Sequence, residues 1–141
     1  MLTELVFTVY GVAQPQGSAK AFMPKGARFP IVTSDNPQLK GWRQLVAHAA
    51  SQALAGAGQF EEGPVRVVAE FYLPRPKSLK DKPAPHMTRP DVDKLARAIG
   101  DALTGVVWRD DSQVVQLKVS KFYAGAGESP RAVIAVTPLA A

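Results

Sequence analysis

The sequence predicts a single α+β domain over residues 1–141, with elements in the order β-α-β-α-β-β and one mixed sheet carrying packed helices. Two observations carry that prediction. The stretch 65–73 puts Val65, Val67, Ala69, Phe71 and Leu73 at every second position, with Arg66 and Glu70 between them, the period of a half-buried strand. The stretches 37–56 and 91–104 instead repeat their apolar residues at helical spacing. A chain of 141 residues without internal repeats has the size of one domain with a normal core.

Taken in order, Leu5, Phe7 and Val9 alternate with Val6, Thr8 and Tyr10, which predicts a first strand largely buried on both faces and ended by Gly11. Residues 13–30 hold three prolines, two glycines and three basic residues, so they read as a loop with a short hairpin around Lys25 and Gly26. Phe22, Met23 and Phe29 in that loop either fold back on the core or cover a second subunit or nucleic-acid bases. Ser34, Asp35 and Asn36 offer an N-cap, and Pro37 falls in the first turn of a helix that ends near 56–58. Leu39, Trp42, Leu45, Val46, Ala49 and Ala53 form its expected buried stripe, with His48 beside them and given no role.

The strand at 65–73 puts Val65, Val67, Ala69, Phe71 and Leu73 on one face, Arg66 and Glu70 on the other. A long loop follows at 74–90, with five prolines and no periodicity. The second helix buries Leu95, Ala98, Ile99, Ala102, Leu103 and Val106 and stops at Thr104-Gly105. A strand from Val114 to Phe122, a Gly-rich turn at 125–127 and a last strand from Arg131 to Thr137 complete the order.

Composition excludes several chemistries. There is no cysteine, so disulfides, thiolate zinc sites and cysteine nucleophiles are absent, and two histidines do not make a histidine-rich metal centre. No apolar run reaches transmembrane length, and the N-terminus lacks the charge and cleavage pattern of a signal peptide, so a cytoplasmic protein is expected. The net charge of +5 is concentrated in two Pro-rich segments. One holds Lys20, Lys25 and Arg28; the other holds Arg75, Lys77, Lys80, Lys82 and Arg89. Basic loops of this kind suit a phosphate backbone, and equally suit solubility.

The stretch from Arg89 to Val115 carries the chemistry. Asp91 and Asp93 open the second helix, where they fit either helix capping or metal binding. From Asp93 to Thr104 the helix rises ~17 Å at 1.5 Å per residue. An extended return over residues 105–111 covers ~20 Å and would bring Asp111 back to Asp91 and Asp93. Three carboxylates so placed repel one another unless a cation neutralises them. Oxygen ligands alone point to Mg²⁺, with Mn²⁺ as the alternative, and such an ion can activate water against a phosphodiester. Arg97, one turn after Asp93, reaches the same site or pairs with Asp101. It stabilises charge but is a poor proton donor.

The segments R-P-D-V-D-K-L and G-D-A-L-T-G-V-V-W-R-D-D-S-Q-V-V resemble the RusA family of Holliday junction resolvases, whose motif runs K-P-D-x-D-N-L-x-K, D-A-L and D-D-x-Q-V. The opening strand with P-Q-G-S and a closing S-K-F-Y…P-R-A-V-I hairpin extend the resemblance over the whole chain. It implies a homodimeric, Mg²⁺-dependent endonuclease of bacteria and phages that nicks four-way DNA junctions symmetrically in recombination and repair, with no organic cofactor and no membrane. The family's metal ligands fall on Asp91, Asp93 and Asp111, its catalytic lysine on Arg97, and its motif asparagine on Lys94. The last two are departures. They leave a second reading open, a DNA-binding module of the same fold with weakened or lost turnover. A third reading is an interaction domain whose acids are helix caps. Asp101 and Asp110 have no catalytic counterpart and are expected in helix or turn roles.

Overall fold

The structure is a computed structural model that describes residues 3–17, 20–23, 25–26, 28–33 and 36–140, the side chains of 20–22 and 31–33 excepted. Its strands are β1 (Leu5–Tyr10), β2 (Lys20–Phe22), β3 (Ile31–Thr33), β4 (Val65–Leu73), β5 (Val114–Tyr123) and β6 (Arg131–Pro138). Its helices are α1 (Leu39–Leu54) and α2 (Val92–Leu103). The expected order holds, and the short hairpin expected around Lys25 and Gly26 forms as the antiparallel β2–β3 pair.

The main sheet has the order β1-β6-β4-β5. β4 and β5 are parallel, and a parallel pair needs a crossover connection, which α2 supplies. This topology corrects the expected closing hairpin. The chain leaves β5 at the sheet edge, passes β4, and inserts β6 between β4 and β1, antiparallel to both. The core lies between the sheet and the two helices, where Phe71, Leu95, Leu103, Trp108 and Ile134 are almost fully buried.

Four local expectations are corrected. β1 is buried on one face only, with Val6, Thr8 and Tyr10 exposed on the other. α1 turns Leu45 and His48 outward and buries Ala50 and Leu54 instead. Its N-cap position is Gln38, whose backbone N–H donates to Asn36 Oδ1 at 3.1 Å, so Pro37 precedes the helix; Ser34 and Asp35 lie outside the described residues. In β5 the register slips by one residue at Val115, and β5 is an edge strand that α2 covers only in part. Val115 and Leu117 are therefore 58% and 55% exposed despite their apolar alternation.

Candidate active site

α2 starts beside the carboxyl ends of β4 and β5, the end of parallel strands where open sheets usually bind ligands. Lys121, near the end of β5, fixes that start. Its ammonium donates to the carbonyls of Thr88 at 2.6 Å and Pro90 at 2.9 Å, immediately before the first motif aspartate. Gln16 N–H reaches the Lys94 carbonyl at 3.0 Å and lays the 12–17 loop over the first turns of α2. Sequence reasoning missed Lys121, because no local pattern reveals a contact across thirty-odd residues.

Asp91 occupies the N-cap position of α2, yet its side chain makes no capping hydrogen bond. Its carboxylate is exposed, 3.8 Å from the Lys94 ammonium. An exposed pair of this kind is worth ~0–1 kcal/mol, too little to hold the carboxylate against a divalent cation. Asp93 is also exposed and makes no hydrogen bond or ion pair with the described residues. It shares a hollow with Arg97, Leu117 and Val119 on the β5 side of the helix. The capping account of the two acids is not what the side chains do.

Asp111 does not join both of them in one three-acid cluster. Val106 and Val107 N–H both donate to the Leu103 carbonyl and Gly105 N–H to Trp108 O, so residues 104–108 form a tight turn rather than an extended return. Thr104 and Trp108 pin it further, the indole N–H donating to Thr104 Oγ1 at 2.9 Å, and Gly105 takes the positive φ of 88° at the helix end. Asp111 consequently lies before the amino end of β5 and borders a hollow with Ala96, Gly100 and Val114. That hollow shares Ala96 and Leu117 with the Asp93–Arg97 hollow, so Asp93 and Asp111 line one flank, while Asp91 faces the other side. Among the described residues no three acidic or histidine side chains stand close enough to share one ion.

Asp110 and Asp101 do take the structural roles expected of them. Asp110 caps a short turn at Asp111–Gln113, and the Ser112 N–H and hydroxyl hold its carboxyl below the usual carboxylate range. Asp101 accepts from Gln16 Nε2 and lies 3.8 Å from Arg43, so Arg97 is not its partner.

Of the basic residues, Lys25, Arg28, Lys77, Lys80, Lys82 and Arg89 are exposed, and the Lys20 side chain lies outside the description. Arg75 instead staples its own loop, donating to the carbonyls of Ala124, Lys80 and Lys82 at 2.8, 3.0 and 2.9 Å. In the hairpin, Met23 and Phe29 are 56% and 76% exposed, so they do not fold back on the core, and the Phe22 side chain lies outside the described residues. Both basic segments leave from the walls of one hollow, which Gly17, Pro37, Pro76 and Arg89 line together with Asp91.

His86 is buried in the wall of that hollow, its ring 4.4 Å from Tyr123. Burial, aided by the Lys121 charge, lowers its pKa against the opposing pull of the His86 and Thr88 carbonyls. The folded chain thus keeps the ring neutral while the unfolded chain protonates near the ordinary value of about 6.5. The resulting stability is complete above that pH and declines as pH falls toward the folded pKa. Melting temperature should therefore drop more steeply from pH 7 to pH 5 for the natural chain than for His86→Phe, and parallel curves would refute it.

Among the described residues, no helix is long and apolar enough to cross a membrane. The sequence profile of the family described as Endodeoxyribonuclease RusA matches residues 13–137. The chain is also 35% identical over 145 residues to the uncharacterized protein YqaN of Bacillus subtilis (strain 168), covering 96% of each protein. The match spans both basic segments, α2 and the Asp110–Asp111 turn. The chain belongs to the RusA family of endodeoxyribonucleases, the Holliday junction resolvases.

Proposed function

We propose that this chain is a Mg²⁺-dependent endonuclease that nicks four-way DNA junctions, with Asp91, Asp93 and Asp111 as metal ligands. The observation that carries this reading is the state of the helix start. Asp91 holds a capping position without capping, Asp93 has no partner among the described residues, and exposed basic loops flank them. When bound, the ion would supply an activated water and stabilise the leaving oxygen. The oxygen donors suit Mg²⁺ or Mn²⁺. Within one chain, these three carboxylates do not form a single metal pocket.

The protein's own contributions are plainer. Lys25, Arg28, Lys77, Lys80, Lys82 and Arg89 hold the phosphate backbone, and Lys20 belongs to the same hairpin. Arg75 shapes the loop that presents its neighbours. Arg97, beside Asp93, stabilises negative charge at the phosphate but does not donate a proton. A homodimer fits paired nicks on a two-fold-symmetric junction. Among the described residues, the β5 edge with exposed Val115 offers apolar surface for it. Sedimentation at micromolar concentration should read a dimer, and a monomer would remove this part of the reading.

The Lys94–Asp91 pair favours a second reading, a junction-binding module in which a lysine ammonium takes the place of the cation. A nicking assay on a synthetic four-way junction, with and without Mg²⁺, separates the two. Mg²⁺-dependent symmetric nicks support the endonuclease. Tight binding without nicks supports the module, and a junction bound no better than duplex DNA sinks both.

A further inference from the structure

We propose that the hollow outside the carboxyl ends of β4 and β5 receives one unstacked nucleobase of the strand being cut, with His86 as the side chain that reads it. The inference rests on the endonuclease reading above and names how that site meets its substrate. The hollow is open and measures about 790 Å³. That is within the usual range for a small-ligand site and far beyond what one ordered water fills.

Its walls suit a flat ring. Leu73, Pro74, Pro15 and Pro37 give apolar surface, and the Tyr123 ring packs against His86 at a 43° tilt. His86 is the one buried polar or charged side chain among the described residues, 9% exposed, and its Nδ1 is fully buried without a hydrogen-bond partner. With Nδ1 buried in the wall, the other ring nitrogen is the polar atom left for a base edge in the hollow, as one donor or one acceptor. The nearby amide of Gln14 is already engaged, accepting from Asn36 Nδ2 at 3.0 Å and donating to the Val12 carbonyl at 3.1 Å.

The rim identifies the ligand class. Arg89 and Lys94 place two cations at the mouth, which suits a phosphate attached to the buried ring, and Asp91 lines the same hollow. A ring carrying a phosphate toward a carboxylate of the cutting site is a nucleotide of the cut strand. Bases at a junction crossover leave the stack more cheaply than bases within a duplex, since part of their stacking is already lost. The hollow would thus contribute both to branch selectivity and to the choice of base beside the nick.

The test uses the whole protein and four-way junctions carrying 5-iodouracil, in turn, at each position flanking the nick. Irradiation of the complex in Ca²⁺ should give an adduct on Tyr123 or His86 from one of these positions. Adducts only elsewhere, or none while the junction is bound, would overturn the inference and leave the endonuclease reading standing. His86→Phe keeps the ring packing and removes the polar edge that meets the base. It should reduce the preference between best and worst flanking base about tenfold, the discrimination of one good hydrogen bond. An unchanged preference would remove His86 from the role. If that variant does not fold, the crosslink on the natural chain decides alone, and failure to bind junctions removes both readings.

Discussion

Asp93→Asn is expected to lower junction nicking by about 10³-fold or more while junction binding stays equal or tightens. A carboxylate that holds a cation at a phosphodiester contributes several kcal/mol to the transition state. At ~1.4 kcal/mol per tenfold, the loss of about 4 kcal/mol gives that factor. The fold has little to lose by the change. Asp93 is exposed in the first turn of α2 and bonds to no described residue, so only its favourable interaction with the helix dipole disappears, ~0.3–1 kcal/mol. Removing a negative charge beside bound phosphates also relieves repulsion, which is why affinity should not fall. Asp101→Asn is the matched control on the same helix. Asp101 faces Arg43 and Gln16, away from the Asp93–Arg97 hollow, so its substitution should leave the nicking rate within about threefold. Single-turnover nicking with anisotropy binding in Ca²⁺ reads both quantities. An Asp93→Asn rate within tenfold of the natural chain would remove Asp93 from the site.

Much of the fold was legible because the elements satisfy strong local periods. Val65 to Leu73 and Leu95 to Leu103 each bury the residues their spacing assigns. What failed depended on long-range choices. The insertion of β6 between β1 and β4 leaves no local mark, since a strand reads the same whichever neighbours it has. The apolar parity of β5 was real, yet edge position and a register slip left Val115 and Leu117 exposed. At the site, residue identities were legible and distances were not. No extended return follows α2: Leu103, Gly105, Val106 and Trp108 close a tight turn through backbone bonds, and Asp111 borders a hollow that Gly100 also lines. Lys121 and His86 act through contacts across the fold, and neither carries a sequence signal of its own.

The second large effect is expected at Gln113, the glutamine of the D-D-x-Q-V segment. Its Oε1 accepts from the N–H groups of Arg109 and Asp110, both at 2.9 Å. Its Nε2 donates to the carbonyls of Phe60 at 2.9 Å and Gly63 at 3.1 Å. One side chain thus ties the Asp110–Asp111 turn to the loop before β4. Gln113→Leu preserves bulk and removes all four bonds. The exposed partners regain water, while the part-buried Phe60 carbonyl does not do so fully, so the net loss should be about 2–4 kcal/mol. For a domain of this size that lowers the melting temperature by roughly 10 °C. Gln113→Glu separates the two halves of the hub. It keeps the acceptor for Arg109 and Asp110 but sets an anion against the Phe60 and Gly63 carbonyls, so its stability should fall at least as far as that of the leucine variant. Nicking, measured well below both melting temperatures, should then fall about tenfold or more for Gln113→Leu, because Asp111 follows directly on the residues that Gln113 holds. A leucine variant that loses stability but nicks at the natural rate would show that Asp111 needs no fixed position, and so is not a ligand.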